Sequence, residues 1–267
     1  MKIKQIDTNK INIIKIACTV SMLLSSSISL AAEEEKSPWK SSAELGYVNV
    51  SGNTNTETMK AAFDISYEID KWAHKAHAEA LSANSETTDT SVIPAVITKE
   101  RTAAKWLVSG QSDYKFKELD YFYALLSYED DRFSGFDYQA KLGLGYGRRV
   151  IHTDSHLLKL EIGPGYRSYR REQLPPPALN EETQTETLLR LSANYLWTLS
   201  ETSKFTEELT SESGEDQDEW KSVTGLTARI NSSLAMKISH TVKYLDKVPA
   251  GNEHFDRETA VTLVFTF

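Results

Sequence analysis

Residues 59–69 read MKAAFDISYEI, and their alternation decides the fold. Met59, Ala61, Phe63, Ile65, Tyr67 and Ile69 fall on one side of an extended chain, and Lys60, Ala62, Asp64, Ser66 and Glu68 on the other. A period of two is the mark of a strand whose faces meet two different environments. Residues 234–244 repeat it: Leu234, Met236, Ile238, Val242 and Tyr244 oppose Ala235, Lys237, Ser239, Thr241 and Lys243. One residue breaks that pattern, His240, which falls on the apolar face in mid-strand, so that either the register shifts there or the imidazole has a partner. Residues 136–146 alternate again, with Phe136, Tyr138, Ala140, Leu142, Leu144 and Tyr146 against Asp137, Gln139, Lys141, Gly143 and Gly145.

Extending this reading predicts twelve strands, at 41–50, 59–69, 72–82, 100–113, 121–129, 136–149, 156–170, 185–198, 203–211, 220–230, 234–245 and 258–267. Connections alternate in length. Short turns follow the even strands up to the tenth, such as Asp70–Lys71 and Thr153–Asp154, and longer loops follow the odd ones, such as 83–99 and 171–184 with Pro175–Pro177. An even strand number with short turns at one end and long loops at the other is the layout of a bacterial outer-membrane barrel. No domain boundary interrupts residues 32–267.

Composition is compatible with this but does not announce it. The 267-residue chain is 40% hydrophobic and 25% charged, with a net charge of −8 and one Cys. That excludes a disulfide framework and multi-cysteine metal sites. The acidic balance excludes a phosphate-tracking nucleic-acid surface. No cofactor is expected.

Residues 1–31 read as a signal peptide. Lys2, Lys4, Lys10 and Lys15 form a basic start, Ile16–Leu30 an apolar stretch, and Ser29 and Ala31 the −3 and −1 positions of a cleavage site. Cys18 does not read as a lipoprotein site, because Lys15 stands where Leu is wanted. Four Lys and one Asp give this segment +3, so its removal takes the net charge from −8 to −11 and removes Cys18.

A soluble barrel would turn the apolar residues inward. Three features point to the membrane instead. Strands of 9–14 residues suit a tilted crossing better than a globular sheet. Trp72, Tyr114, Tyr121, Tyr146, Tyr195, Trp197 and Phe205 cluster near the short turns, as an interfacial girdle does. The last strand carries Val261, Leu263, Phe265 and Phe267 on one face, resembling the signal read by the outer-membrane barrel assembly machinery. The expected location is the outer membrane of a Gram-negative envelope, with short turns in the periplasm and membrane lipid and lipopolysaccharide around the wall.

Several strings resemble a family of salt-induced outer-membrane proteins (YdiY-like, a domain of unknown function). They are Ala43–Gly46 with Ser51–Thr54, Tyr128–Gly135 (YEDDRFSG), Leu142–Gly147 (LGLGYG), Glu161–Tyr166 (EIGPGY) and the terminal strand. The resemblance implies an exported barrel and a link to salt or osmotic stress. It brings no reaction, ligand or catalytic set.

Candidate chemistry is sparse. Gly143, Gly145 and Gly147 alternate within a strand, so close packing or wall curvature explains them better than a phosphate loop. Glu129, Asp130 and Asp131 fit either a turn pinned by an Asp–Arg contact and Gly135 or a divalent-cation or lipopolysaccharide contact, and Glu212, Glu215, Asp216, Asp218 and Glu219 either a solvated loop or a divalent cation. The inward face carries Lys60, Asp64, Glu68, Lys75, His77, Glu79, Arg101, Lys105, Lys141, Lys159, Glu161, Arg190 and Arg229. Mixed signs fit a lumen plugged by ion pairs or a narrow, porin-like pore, and a filled lumen is the expectation because opposite charges can pair across it. A lipase- or protease-type barrel hydrolase is the competing class. None of His74, His77, His152, His156, His240 and His254 lies in a recognisable nucleophile motif, so no catalytic residue is assigned.

Overall fold

The computed structural model describes residues 37–50, 54–89, 96–131, 136–171, 183–248 and 253–267. The signal segment 1–31, Arg132–Gly135 and the Pro175–Pro177 run lie outside the described residues. Twelve strands form: β1 (Trp39–Val50), β2 (Thr54–Ile69), β3 (Trp72–Asp89), β4 (Val96–Lys115), β5 (Asp120–Asp131) and β6 (Phe136–His152), then β7 (His156–Arg171), β8 (Gln184–Thr198), β9 (Ser203–Gly214), β10 (Asp218–Arg229), β11 (Leu234–Leu245) and β12 (Phe255–Thr266). Each pairs antiparallel with its neighbours in sequence, and β1 pairs with β12 through Ser42–Thr266 to Leu45–Leu263, closing the barrel.

The reason for closure is chemical. The outward face is apolar, with Leu45, Phe63, Leu126, Leu144, Leu191, Met236 and Val261 all exposed. Hydrocarbon cannot solvate peptide groups, so a sheet with such a face can leave no unpaired edge. The short-turn end bears an aromatic belt: Trp39, Tyr67 and His74, with Trp72 stacked on His74 and tilted against Tyr114. Further round lie Phe116, Phe122 and Tyr146, then His156, Tyr195, Trp197 and Phe205. A second belt at the long-loop end joins Trp106, Tyr128 and Tyr138, and on the far side Trp220, Tyr244 and Phe255. Two belts flanking an apolar band are what an interfacial aromatic prefers.

Three corrections follow. The β2–β3 and β3–β4 ladders run on to Thr54–Thr87 and Asp89–Val96, so much of the expected loops 51–58 and 83–99 is strand. Ser, Thr, Asn and Glu dominate the sequence of these ends, so the apolar period vanishes there while backbone pairing continues. Tyr121 does not join the girdle: it turns inward, is 1% exposed, and hydrogen-bonds Glu161 at 2.9 Å. Phe136 leaves the outer face as well, because the β6–β7 register shifts between Phe136 and Tyr138. One extra residue reverses the side to which a strand residue points.

On β6, Gly145 and Gly147 allow close packing against the wall. Gly147 pairs with Tyr121 and Gly145 with Tyr123 on the inward face. A Cβ on Gly145 would sit 2.7 Å from Cε1 of Tyr123, and one on Gly147 would overlap the Tyr121 ring. At the Asp70–Lys71 turn, Asp70 adopts φ 47°, a left-handed conformation that a short polar side chain tolerates.

Candidate functional site: the charged bore

The inward face is an interleaved array of charges. On β2, Lys60 reaches Glu258 of β12 at 2.5 Å and Glu79 of β3 at 3.1 Å. Lys105 on β4 lies between Glu79 (3.9 Å) and Glu129 (3.7 Å). Lys141 on β6 meets Glu212 at 2.7 Å and Glu219 at 3.0 Å. Arg190 holds Glu161 at 3.0 Å, and Arg167, fully buried, forks between Glu186 at 2.9 Å and Glu212 at 3.0 Å. Where the barrel closes, Glu44 of β1 accepts from Lys237 at 2.8 Å and from Thr262 at 3.2 Å. Such charge-assisted bonds offset the loss of hydration only because most charges here have two partners.

Toward the long-loop end these pairs become a bar across the bore. Lys243 of β11 donates to Glu129 of β5 at 3.3 Å, although five strands lie between them in either direction around the wall. Above the bar, Phe136 and Tyr169 meet edge to face at 5.6 Å, and Leu245 and Val248 complete a small apolar cap. Below it, a cavity of about 730 Å³ runs from Glu129, Lys141 and Glu219 down to Lys40, Ser66 and Thr266 near the short turns.

Most of the expected inward residues take their places. Asp64 and His77 bond at 2.8 Å, Glu68 pairs with Lys115 at 2.9 Å at the mouth, and Lys75 and Lys159 line the short-turn end. Arg229 lies at that end and donates to the Glu201 carbonyl. The side chain of Arg101 lies outside the described residues.

The acidic clusters are divided by the pleat. Glu129 enters the bore, while Asp130 pairs across to Trp106 on the outward register. Glu212 and Glu219 bind lumen cations, whereas the Asp216 backbone N–H donates to Glu186 in the turn beyond. Among the described residues, no group of three carboxylates, imidazoles or thiols is placed to hold a metal ion.

The six histidines are scattered. His74 stacks in the lower belt, His156 bonds the Tyr195 hydroxyl at 2.8 Å, and His254 bonds the Leu245 carbonyl at 2.7 Å. Among the described residues, none of them hydrogen-bonds a serine hydroxyl through its ring, as an activated nucleophile requires. His240 does face outward, and its partner is Thr259 on β12, 2.8 Å from Nδ1.

Sequence reasoning missed the neighbour of that pair. Glu207 of β9 also faces outward, where Ser222 and Thr224 donate to its carboxylate at 2.7 and 2.6 Å. Thr224 pairs in register with Glu207 on one side and His240 on the other, and His240 with Thr259. A polar row thus crosses four strands of the outer wall, with hydroxyls beside both Glu207 and His240. The signal was present as Glu207 interrupting the apolar face between Phe205 and Leu209.

Comparison with known proteins agrees with this architecture. In fold, the chain is similar to the translocator domain of the autotransporter NalP from Neisseria meningitidis, with TM-score 0.51 and 10% identity, covering 96% of this chain and 94% of that one. Superposition on the NanC porin gives TM-score 0.49 and 11% identity over 84% of this chain and 98% of that one. In sequence, it is 26% identical over 232 residues to the uncharacterized protein YdiY of Escherichia coli K12, covering 86% of this chain and 84% of that protein. The barrel, with its apolar band between aromatic belts, is an integral protein of the outer membrane. Residues 43–267 match the family model described as a protein of unknown function, DUF481, and the chain belongs to that family.

Proposed function

We propose that this barrel serves the outer membrane as a narrow pore held shut by ion pairs, with a role in the envelope's response to salt or osmotic stress. The observation that carries the reading is the Lys243–Glu129 bond across the bore, flanked by Lys105, Lys141 and Glu219. A permanently open channel of this circumference would carry its charges on the wall, hydrated, rather than joined across the axis. The outward placement of Val261, Leu263, Phe265 and Phe267 suits recognition of the last strand by the assembly machinery. The stress link rests on the family resemblance, and a deletion strain should lose fitness at high external salt.

Single-channel recording in planar bilayers tests the pore. Wild-type protein should show no large, stable conductance steps, and the Glu129→Gln/Lys243→Gln variant should show frequent openings. Large stable steps from the wild type would overturn the reading.

A further inference from the structure

Below the bar, the balance of charge changes. Five cationic side chains, Lys40, Lys75, Lys115, Arg149 and Lys159, line one pocket of about 90 Å³ with two carboxylates, Glu68 and Asp113. Glu68 is shared by Lys115 at 2.9 Å and Arg149 at 3.8 Å, and Asp113 accepts from Gln111 at 2.8 Å. Among the described residues, the side chains of Lys40, Lys75 and Lys159 make no hydrogen bond or ion pair.

Register makes the imbalance sharper. Lys40 and Lys75 flank Ser66 as its partners on β1 and β3. Arg149 and Lys159 are directly opposed across β6 and β7, a like-charge pair that destabilises a sheet. Most other cations of this bore pair with acids; here five converge on a recess with three more positive than negative charges. Water screens such a cluster only partly between low-dielectric walls, and a bound anion relieves it.

We propose that Lys40, Lys75, Arg149 and Lys159 form a binding site for a phosphate-type oxyanion at the short-turn mouth, the end that faces the periplasm. Lysine ammoniums serve a phosphate group as point charges, and Arg149 adds a planar pair of donors. The same chemistry is offered by free phosphate, by a phosphorylated solute or by a phospholipid headgroup. The site stands whether or not the bore conducts, because binding is read without ion flow.

The test is calorimetric titration of the refolded full barrel with inorganic phosphate, in uncharged detergent free of phospholipid. Saturable binding is expected. Lys75→Gln/Lys159→Gln should weaken it at least tenfold, Lys75→Arg/Lys159→Arg should hold it within threefold, and Lys71→Gln on the exposed turn should leave it unchanged. Heat-modifiable gel mobility reports whether each variant is folded. In wild-type protein, phosphate should slow acetylation of Lys75 and Lys159 relative to Lys71, a readout that needs no variant. Repeating the titration in phosphatidylcholine and phosphatidylglycerol nanodiscs separates the sources: competition by the anionic lipid assigns a headgroup, and its absence a soluble anion. No saturable binding, or equal binding by the double Gln variant, overturns the proposal.

Discussion

Lys243 and Glu129 stand on opposite sides of the barrel, 114 residues apart in the chain, yet their side chains meet at 3.3 Å near its long-loop end. Neither strand pairs with the other, and only closure of the wall brings the two charges together. Their contact spans the bore.

Removing one member of a buried pair strands the other, at about 3–5 kcal/mol, whereas removing both costs far less. Glu129→Ala should therefore destabilise the barrel more than Glu129→Ala/Lys243→Ala, because both Lys243 and Lys105 lose their shared acid. Urea unfolding of the four proteins of this cycle in vesicles measures the coupling. Additive losses would remove the bar as a structural element.

Orientation of the wall is tested by adjacent residues. Ala62 is buried in the bore, between Glu44 and Glu79 in register, and Phe63 faces lipid. Phe63→Arg should cost about 2–4 kcal/mol at mid-depth, and Ala62→Arg much less, since both acids can pair with it. Equal damage in vesicle refolding would contradict the assignment of faces.

The Gly147–Tyr121 contact predicts a compensated pair of changes. Gly147→Ala forces a methyl group into the Tyr121 ring and should cost about 1–3 kcal/mol. In a Tyr121→Ala background the same change should be nearly neutral. A full penalty in both backgrounds, read from unfolding midpoints, would mean that backbone strain rather than the ring sets it.

On the outer wall, Glu207 depends on two hydroxyls. Ser222→Ala/Thr224→Val leaves its carboxylate facing lipid without donors, a loss of about 2–3 kcal/mol. Glu207→Leu in that double variant should restore most of it. Failure of the Leu replacement to rescue folding would show that the hydroxyls matter for another reason.

The residues that could be read from sequence are those whose surroundings depend only on which side of a strand they occupy. Phe63, Ile238 and Leu263 face lipid as their alternation required, and twelve strands appear over the segments the period marked, with β2, β3 and β4 running on past their expected ends. Phe136 and Tyr121 could not be read this way. A bulge reverses the first, and the second lies inward because glycines on β6 leave room for a ring there. Neither a bulge nor a facing glycine leaves a mark in the apolar period. The outer polar row was half visible: His240 stood out, but Thr259 as its partner required the β11–β12 register.

By itself the sequence determined the architecture: twelve strands, each with one apolar and one polar face, apart from the few residues that a bulge or a facing glycine turns the other way. Those are local properties, set by a two-residue period and by solvents that differ on the two sides of a wall. Tertiary structure alone decided which charges meet. Glu129 with Lys243, Lys60 with Glu258, and the unpaired lysines above the short turns are products of closure and register, which bring distant strands to one axis. Alternation assigns a residue to the bore, but a carboxylate or ammonium within the bore is neutralised by whichever partner the circumference brings within reach.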